Sequence, residues 1–259
     1  MSLRPLSVIV PARDEELRLP ALLDAIDDIV DTLATARFQL SELIVVDDGS
    51  SDRTAELVAT RAVDDSRLRL ITIEPAGKGA AVRAGALAAA TPWALVMDAD
   101  LSTQVEAIGA LGEAIDAGCD IAIGSRGLDG SIIAEHQPRY RELAGKTFNR
   151  LVRTVTGLPF RDTQCGFKLF RLATTRTLFE LQRTDGFAYD VEILLDAAWQ
   201  GLRVEEVPVT WANDRQTRVR LFGASIGMGA DVIRIVHRLG RYDRSRSKPA
   251  PMLAAETPP

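Results

Sequence analysis

Two aspartates one residue apart, Asp98-Ala99-Asp100, close an apolar run that begins at Trp93. Alternate side chains of a strand share a face, so both carboxylates can point at one ion. Mg²⁺ takes one or two carboxylates and fills its shell with phosphate oxygens and water. Such an ion neutralises a diphosphate leaving group. The pattern is short, and a solvated loop with two acids accounts for it equally well when it stands alone. Two further polar clusters close apolar runs, Pro11-Ala12-Arg13-Asp14-Glu15 and Asp47-Asp48-Gly49-Ser50-Ser51-Asp52. Carboxylates of the latter can accept hydrogen bonds from a base or a ribose. A turn in which Ser51 or Asp52 caps the next helix is the plainer account. Gly77-Lys78-Gly79 lacks the spacing of a Walker loop. Lys78 at a helix start can meet a phosphate, or be solvated.

The elements that must position these residues alternate. Strands are expected at 6–10, 43–46, 68–73, 93–97 and 120–123, and helices at 16–34, from 54, 77–90 and 104–117. The apolar residues of 16–34 recur with a helical period. This alternation predicts an α/β domain with a mainly parallel central sheet and helices on both faces. Ligands of such sheets bind beyond the carboxyl ends of the strands, where all three polar clusters fall. Further along, 138–156 reads as a helix ended by Gly157, and 163–170 as a loop leading into a short strand. A helix at 189–199, a strand at 204–209, a polar basic loop at 213–220 and an amphipathic helix at 225–239 follow. The domain is therefore set at 1–239, with a basic, Pro- and Ala-rich tail at 240–259 that reads as disordered.

Composition narrows the class. A formal net charge of -5 argues against a nucleic-acid binder. Cys119 and Cys165 cannot make a disulfide framework, and His136 and His237 are too far apart in sequence for a zinc site built on histidine. No apolar stretch is long enough to span a membrane. With no signal peptide visible, these features suggest a cytoplasmic protein, soluble or peripheral to a membrane. Against the acidic background, Arg126, Arg139, Arg141, Lys146, Arg150 and Arg153 concentrate in one segment. Arginine suits bidentate phosphate contacts, although helix faces also carry such charges for solubility.

Val10-Pro-Ala-Arg-Asp-Glu15, Val45-Val-Asp-Asp-Gly-Ser50, Gly77-Lys-Gly79 and Asp98-Ala-Asp-Leu-Ser-Thr103 resemble the successive signatures of inverting family-two glycosyltransferases. Arg161-Asp-Thr-Gln-Cys-Gly-Phe-Lys-Leu-Phe170 and Phe187-Ala-Tyr-Asp-Val-Glu192 resemble the dolichyl-phosphate glucose and mannose synthase branch, the glucose type more closely. The resemblance covers about residues 6–239. It implies a single Rossmann-like domain of the GT-A fold and transfer of a hexose, UDP-glucose favoured as donor, to a polyprenyl phosphate. It implies that Pro11, Ala12, Glu15 and Asp48 line the nucleotide, with Asp47 and Lys78 nearby. Asp98 and Asp100 would hold Mg²⁺ or Mn²⁺. Ser102 stands where some mannose synthases carry a glutamine that helps the metal, which leaves the third protein ligand open. Arg126, Arg141 and Lys146 would face the acceptor phosphate, and Arg139 stands where many relatives have an aromatic residue. Gln164 and Lys168 would lie near the sugar or phosphate, and Arg215 and Arg218 on a loop closing over the diphosphate.

A phosphate acceptor is already ionised near neutral pH and needs cations rather than a general base. Asp190 and Glu192 occupy the region where hydroxyl-glycosylating relatives keep their base. They can orient groups, act as that base, or merely enrich a helix start in acids. Ile226, Met228, Val232, Ile235, Val236 and Leu239 form one helical face that either rests on anionic lipid, with Arg234, Arg238 and the tail, or packs on the core. A small membrane protein docking the chain is a further option. Three competitors remain: a transferase to a hydroxyl, a nucleotidyltransferase, and a silent nucleotide-sugar binding subunit. The second would show a Gly-rich loop near the N-terminus, and residues 11–15 contain no glycine.

Overall fold

Alternation along the first strand separates the two layers of the molecule. Leu6, Val8 and Val10 enter one apolar layer, and Ile9 enters the other. The computed structural model describes residues 2–135, 137–213 and 221–243; for Arg139, Arg141 and residues 221–226 it describes the backbone alone. In chain order the elements are β1 (Arg4–Ala12), α1 (Leu19–Asp24), α2 (Ile26–Thr35), β2 (Phe38–Asp47), α3 (Thr54–Arg61), β3 (Leu68–Thr72), α4 (Lys78–Ala88), β4 (Trp93–Val96), α5 (Ile108–Asp116), β5 (Ile121–Ser125), β6 (Ile132–Glu135), α6 (Arg139–Thr156), β7 (Lys168–Arg171), α7 (Leu172–Leu181), α8 (Tyr189–Trp199), β8 (Val204–Pro208), β9 (Thr210–Ala212) and α9 (Leu221–Leu239).

Seven strands form one sheet in the order β3-β2-β1-β4-β7-β5-β8. Its pairings are parallel except those of β7, which runs antiparallel to β4 and to β5. The first layer packs Leu22, Ile29, Leu33, Val58 and Leu111 of α1, α2, α3 and α5 against Val8, Val45 and Leu95. The second packs Val82, Val152, Phe179, Leu194 and Val232 of α4, α6, α7, α8 and α9 against Ile9, Ile44, Val96 and Ile123. The expected parallel sheet with helices on both faces is what forms.

Several local expectations change. The helix expected over 16–34 is two helices, with Ala25 out of helical geometry at φ -85° and ψ 3°. It also starts later, because the preceding backbone is tied sideways. The amides of Asp14 and Glu15 donate to Ser50 Oγ at 2.9 Å and Thr54 Oγ1 at 2.7 Å. Asp14 sits at φ 53°, and its carboxylate accepts from the Ser51 amide at 2.8 Å. Asp52 accepts from the Thr54 amide at 3.0 Å, but the N-cap of α3 is Arg53, which makes no side-chain cap bond, rather than the Ser51 or Asp52 expected. Strand β2 begins at Phe38, where buried Phe38 and Leu40 alternate with exposed Gln39 and Ser41. A two-stranded parallel pair, β6 with β9, has no counterpart in the sequence reading.

The face of α9 proposed as an alternative for lipid is used internally. Val232 and Ile235 are 1% and 2% exposed, and Arg238 is ion-paired to Glu192 on α8. The chain then stays packed past residue 240. Tyr242 donates its amide to Thr156 O at 2.6 Å and lays its ring edge-on to Trp199. Residues 214–220 and 244–259, with Arg215 and Arg218 among them, lie outside the described residues.

Candidate active site

The antiparallel course of β7 decides what meets at the site. Its neighbours β4 and β5 end where β7 begins, so the run from Asp162 to Lys168 arrives at the same sheet edge as Asp98, Asp100, Ser125 and Arg126. The ends of β1 and β2 bring Pro11, Ala12 and Asp47 to that edge.

Asp98 is held from two sides. Lys78 Nζ lies 2.7 Å from its Oδ1. Gly166 presses on the other side: a Cβ there would lie 2.0 Å from Asp98 Oδ2. Burial works against the charge of Asp98, but Lys78, Lys168 and Arg126 outweigh it and hold its pKa below the usual carboxylate value. Lys78 opens α4 directly after Gly77, whose φ of 130° suits glycine and whose added Cβ would meet Asp185 O at 2.5 Å. Burial disfavours the Lys78 ammonium, yet Asp98 and Asp190 keep its pKa raised.

Asp100 differs from its neighbour. Its Oδ1 accepts from the Ser102 amide at 2.9 Å, and its Oδ2 lies 3.8 Å from Arg18 Nη1. Burial and the charge of Asp98 raise its pKa. Glu15, paired with Arg18 through Nε at 2.5 Å, is likewise raised, first by burial, with Asp98 and Asp100 adding to it. A divalent cation relieves such crowding of carboxylates, so Asp98 and Asp100 fit a hard metal ion. Among the described residues no group of three His, Cys, Asp or Glu side chains is arranged to hold one. Phosphate oxygens and water can fill further positions of such an ion.

The expected nucleotide residues divide in two. Asp48 Oδ1 accepts from the amides of Ala76 at 2.7 Å and Gly77 at 3.0 Å, so it anchors the loop that presents Lys78. Asp47 is buried and accepts from the Ser50 amide at 3.2 Å, closing its own turn. Pro11 is part-exposed at the edge, and Ala12 is buried beneath it.

Arg126 is locked in a fork. Its Nε and Nη2 donate to Asp162 at 2.6 and 3.0 Å, and its guanidinium stacks over Trp211 with the centroid 5.5 Å away. Burial opposes both charges, but their mutual attraction holds Asp162 down at about 2 and pushes Arg126 up. Beside them opens a cavity of about 640 Å³ lined by Arg126, Lys146, Asn149, Arg150, Arg153, Arg161 and Trp211. The structure thus joins Arg126 and Lys146, two of the residues assigned to the acceptor. Arg141 lies on the same helix, its side chain outside the description.

Lys168 and Asp190 are buried close to Asp98 and Lys78. They are 2% and 4% exposed and form an ion pair at 2.6 Å, with Lys168 also bound to Cys165 O. Burial raises the Asp190 pKa against the pull of Lys168 and Lys78. Glu192 accepts from the amides of Arg183 and Thr184 at 2.9 and 2.7 Å, which ties a loop and leaves it buried. Gln164 hangs its amide on Asp162 Oδ1 at 3.1 Å, and its buried Nε2 has no hydrogen-bond partner among the described residues. Arg18, Asn149, Asp162 and Trp211 were not singled out from sequence. Asp162 stood in view two places before Gln164, and Arg18 stood one helical turn past Glu15.

Substituting Gly166→Ala is expected to drive Asp98 off Lys78, because the new methyl would overlap the carboxylate. Mn²⁺ affinity, read by electron paramagnetic resonance titration, should fall by roughly tenfold or more, with the circular dichroism spectrum unchanged. Unaltered Mn²⁺ binding would show that Asp98 tolerates displacement.

Comparison with known proteins agrees with this geometry. The model of glycosyl transferase family 2 matches residues 7–179. A dolichyl-phosphate beta-glucosyltransferase of Dictyostelium discoideum is 36% identical over 245 residues, covering 90% of this chain and 74% of the relative. The enzyme of that name from Homo sapiens is 32% identical over 246 residues, covering 89% and 74%. Among solved structures, glucosyl-3-phosphoglycerate synthase of Mycobacterium tuberculosis superposes with a TM-score of 0.65 at 23% identity, covering 93% of this chain and 82% of that one. A structure of the same synthase with Mn²⁺, UDP and glucosyl-3-phosphoglycerate gives 0.64 at 21%, covering 93% and 81%. The fold is accordingly the GT-A fold. With paired aspartates at the end of β4, a lysine-bearing helix start against them and a family match over most of its length, this chain belongs to glycosyl transferase family 2.

Proposed function

We propose that this protein transfers glucose from UDP-glucose to the phosphate of a polyprenyl phosphate in a single inverting displacement, at the cytoplasmic face of a membrane. The observation that carries the acceptor class is the basic cavity around Arg126, set beside carboxylates that are already engaged. A hydroxyl acceptor needs a reachable base. Asp190 is closed off by Lys168, and Glu192 by two backbone amides. A phosphate acceptor needs only cations, and Arg126, Lys146, Arg150 and Arg153 supply them. The names borne by the relatives at 30–36% identity point the same way.

In this reading Glu15, Pro11 and Ala12 form the edge on which the nucleotide rests, and Asp48 fixes the loop carrying Lys78. Asp98 and Asp100 would hold Mg²⁺ or Mn²⁺, which supplies charge neutralisation at the diphosphate. Lys78 stands in contact with Asp98 and is placed to exchange that carboxylate for a phosphate oxygen. Arg126, rigid in the Asp162 fork, orients the acceptor phosphate. Gln164 offers its unpartnered Nε2 to a sugar or phosphate oxygen. The two free cysteines, Cys119 and Cys165, are both buried and accord with a reducing compartment.

The test is transfer of labelled sugar from a panel of UDP- and GDP-sugars into organic-extractable lipid, with a short polyprenyl phosphate in detergent and Mg²⁺ or Mn²⁺. Label is expected from UDP-glucose. Arg126→Ala should raise the acceptor KM by roughly tenfold or more, the effect of losing a charged contact from the part of the guanidinium that Asp162 leaves open, while leaving donor KM near its starting value. Metal-dependent donor hydrolysis with no lipid label would move the assignment to another acceptor.

A further inference from the structure

Helix α6 carries three distinct sides. Phe148, Val152 and Val155 turn to the core. Glu142, Lys146, Asn149, Arg150 and Arg153 line the basic cavity. The remaining side bears Tyr140, Leu143, Thr147 and Leu151, at the i, i+3, i+7 and i+11 positions of one helical stripe. Its large apolar members are exposed: Tyr140 by 62%, Leu143 by 67% and Leu151 by 48%. Nearby in the fold, Ile133 of β6 lines the cavity while Ile132 points away and is 58% exposed. Two walls of the cavity therefore carry unpartnered apolar side chains on their outer sides.

Scattered exposed apolar residues need no explanation. A stripe on a helix whose next side is rich in Lys and Arg is a different feature. It is the composition of a helix that lies in a membrane interface, apolar side in the acyl boundary and cations near the phosphates. The charge is local, since the whole chain is acidic with a net charge of -5. Tyrosine at one end of the stripe suits the headgroup level, where its ring is half apolar and its hydroxyl wet. The helix is 18 residues long. Among the described residues no helix is long and apolar enough to cross a membrane. Of the two alternatives for the amphipathic helix α9, lipid or core, the described residues Val232 and Ile235 take the core.

We propose that α6 is the membrane-contacting element of this protein, its Tyr140, Leu143 and Leu151 stripe lying in the interface of an anionic bilayer. This rests on the reading of the acceptor as a lipid phosphate. It adds the surface by which a chain lacking a span among its described residues brings the cavity to the headgroups. Arg150 stands between the apolar stripe and the cavity side, where a lipid phosphate entering from the bilayer would meet it first.

Flotation with phosphatidylcholine vesicles, with and without phosphatidylglycerol, tests the assignment on the full chain. Wild-type protein is expected to float with the anionic vesicles. The Leu143→Glu, Leu151→Glu double variant should lose roughly tenfold or more of that binding. Its transfer to a short polyprenyl phosphate in detergent should match wild type, which also shows that it is folded. A double variant that floats as well as wild type overturns the proposal, and so does wild-type protein that fails to float. Loss of self-association in the variant, with vesicle binding intact, assigns the stripe to a second copy and overturns it too. If flotation responds as expected but detergent assays put no label in lipid, the surface assignment stands and the acceptor reading fails.

Discussion

Lys168→Met is expected to lower the unfolding free energy by about 3–5 kcal/mol, the usual cost of stranding one partner of a buried ion pair. Lys168 and Asp190 meet at 2.6 Å with 2% and 4% exposure, so neither can recover solvation when the other is lost. Lys168 also binds Cys165 O, which fixes the turn leading into β7. Asp190→Leu should cost a similar amount, since it leaves the ammonium without its counter-charge. Replacing both by apolar residues of similar volume, Lys168→Met with Asp190→Leu, should return most of the loss, because no uncompensated charge remains. Urea unfolding of the four proteins gives the coupling directly. The sign of the pH dependence follows. Burial already raises the Asp190 pKa, and loss of Lys168 raises it further. A carboxyl with a folded pKa above its unfolded value binds more protons when folded. The deficit of Lys168→Met should therefore shrink as pH falls through that raised pKa. Additive single effects would show that the pair is not coupled.

Asp100→Asn is expected to reduce transfer by about 10³-fold with little change in stability. The side chain is part-buried, its Oδ1 held by the Ser102 amide and its Oδ2 3.8 Å from Arg18. An asparagine keeps the Ser102 contact but loses the charge that a metal ion requires. Metal neutralisation of a leaving diphosphate is worth several kcal/mol, and about 1.4 kcal/mol is tenfold in rate. Mn²⁺ titration should show weaker binding in parallel, which separates this account from a purely structural one. Asp98→Asn should behave differently. It would leave Lys78 without its 2.7 Å partner, and the loss should appear in donor KM as well as in kcat. Equal Mn²⁺ affinity in wild type and Asp100→Asn would remove Asp100 from the metal site.

These charges form one system. Asp98 with Lys78 and Asp190 with Lys168 are paired between elements that the chain reaches 20 or more residues apart, and Glu15 with Arg18 is a local pair beside them. Asp100 lies next to two of these pairs, its pKa raised by burial and by Asp98. A cation arriving with a nucleotide diphosphate meets a carboxylate that the protein has left short of positive charge. Arg126, by contrast, is held by Asp162 before any ligand arrives, so its direction is set in advance.

The sequence by itself determined the layered architecture and the sheet edge at which the polar clusters meet. Buried parallel strands are short runs of Val, Ile and Leu, and the polar residues that break them mark strand ends, which is where ligands bind. Asp98, Asp100, Lys78 and Glu15 were legible for that reason, since local order along the chain carries them. What only the tertiary structure decided is which charges are exposed and which are spent. Lys168 and Asp190 are 22 residues apart in sequence, and only the antiparallel return of β7 against β4 and β5 buries them together. Asp162 was in view but could not be matched with Arg126, 36 residues away, until two strand ends met. That α9 packs its apolar side on the core while α6 leaves Tyr140, Leu143 and Leu151 exposed has the same origin. Both helices are amphipathic, and periodicity reports that a helix has an apolar side without reporting what covers it.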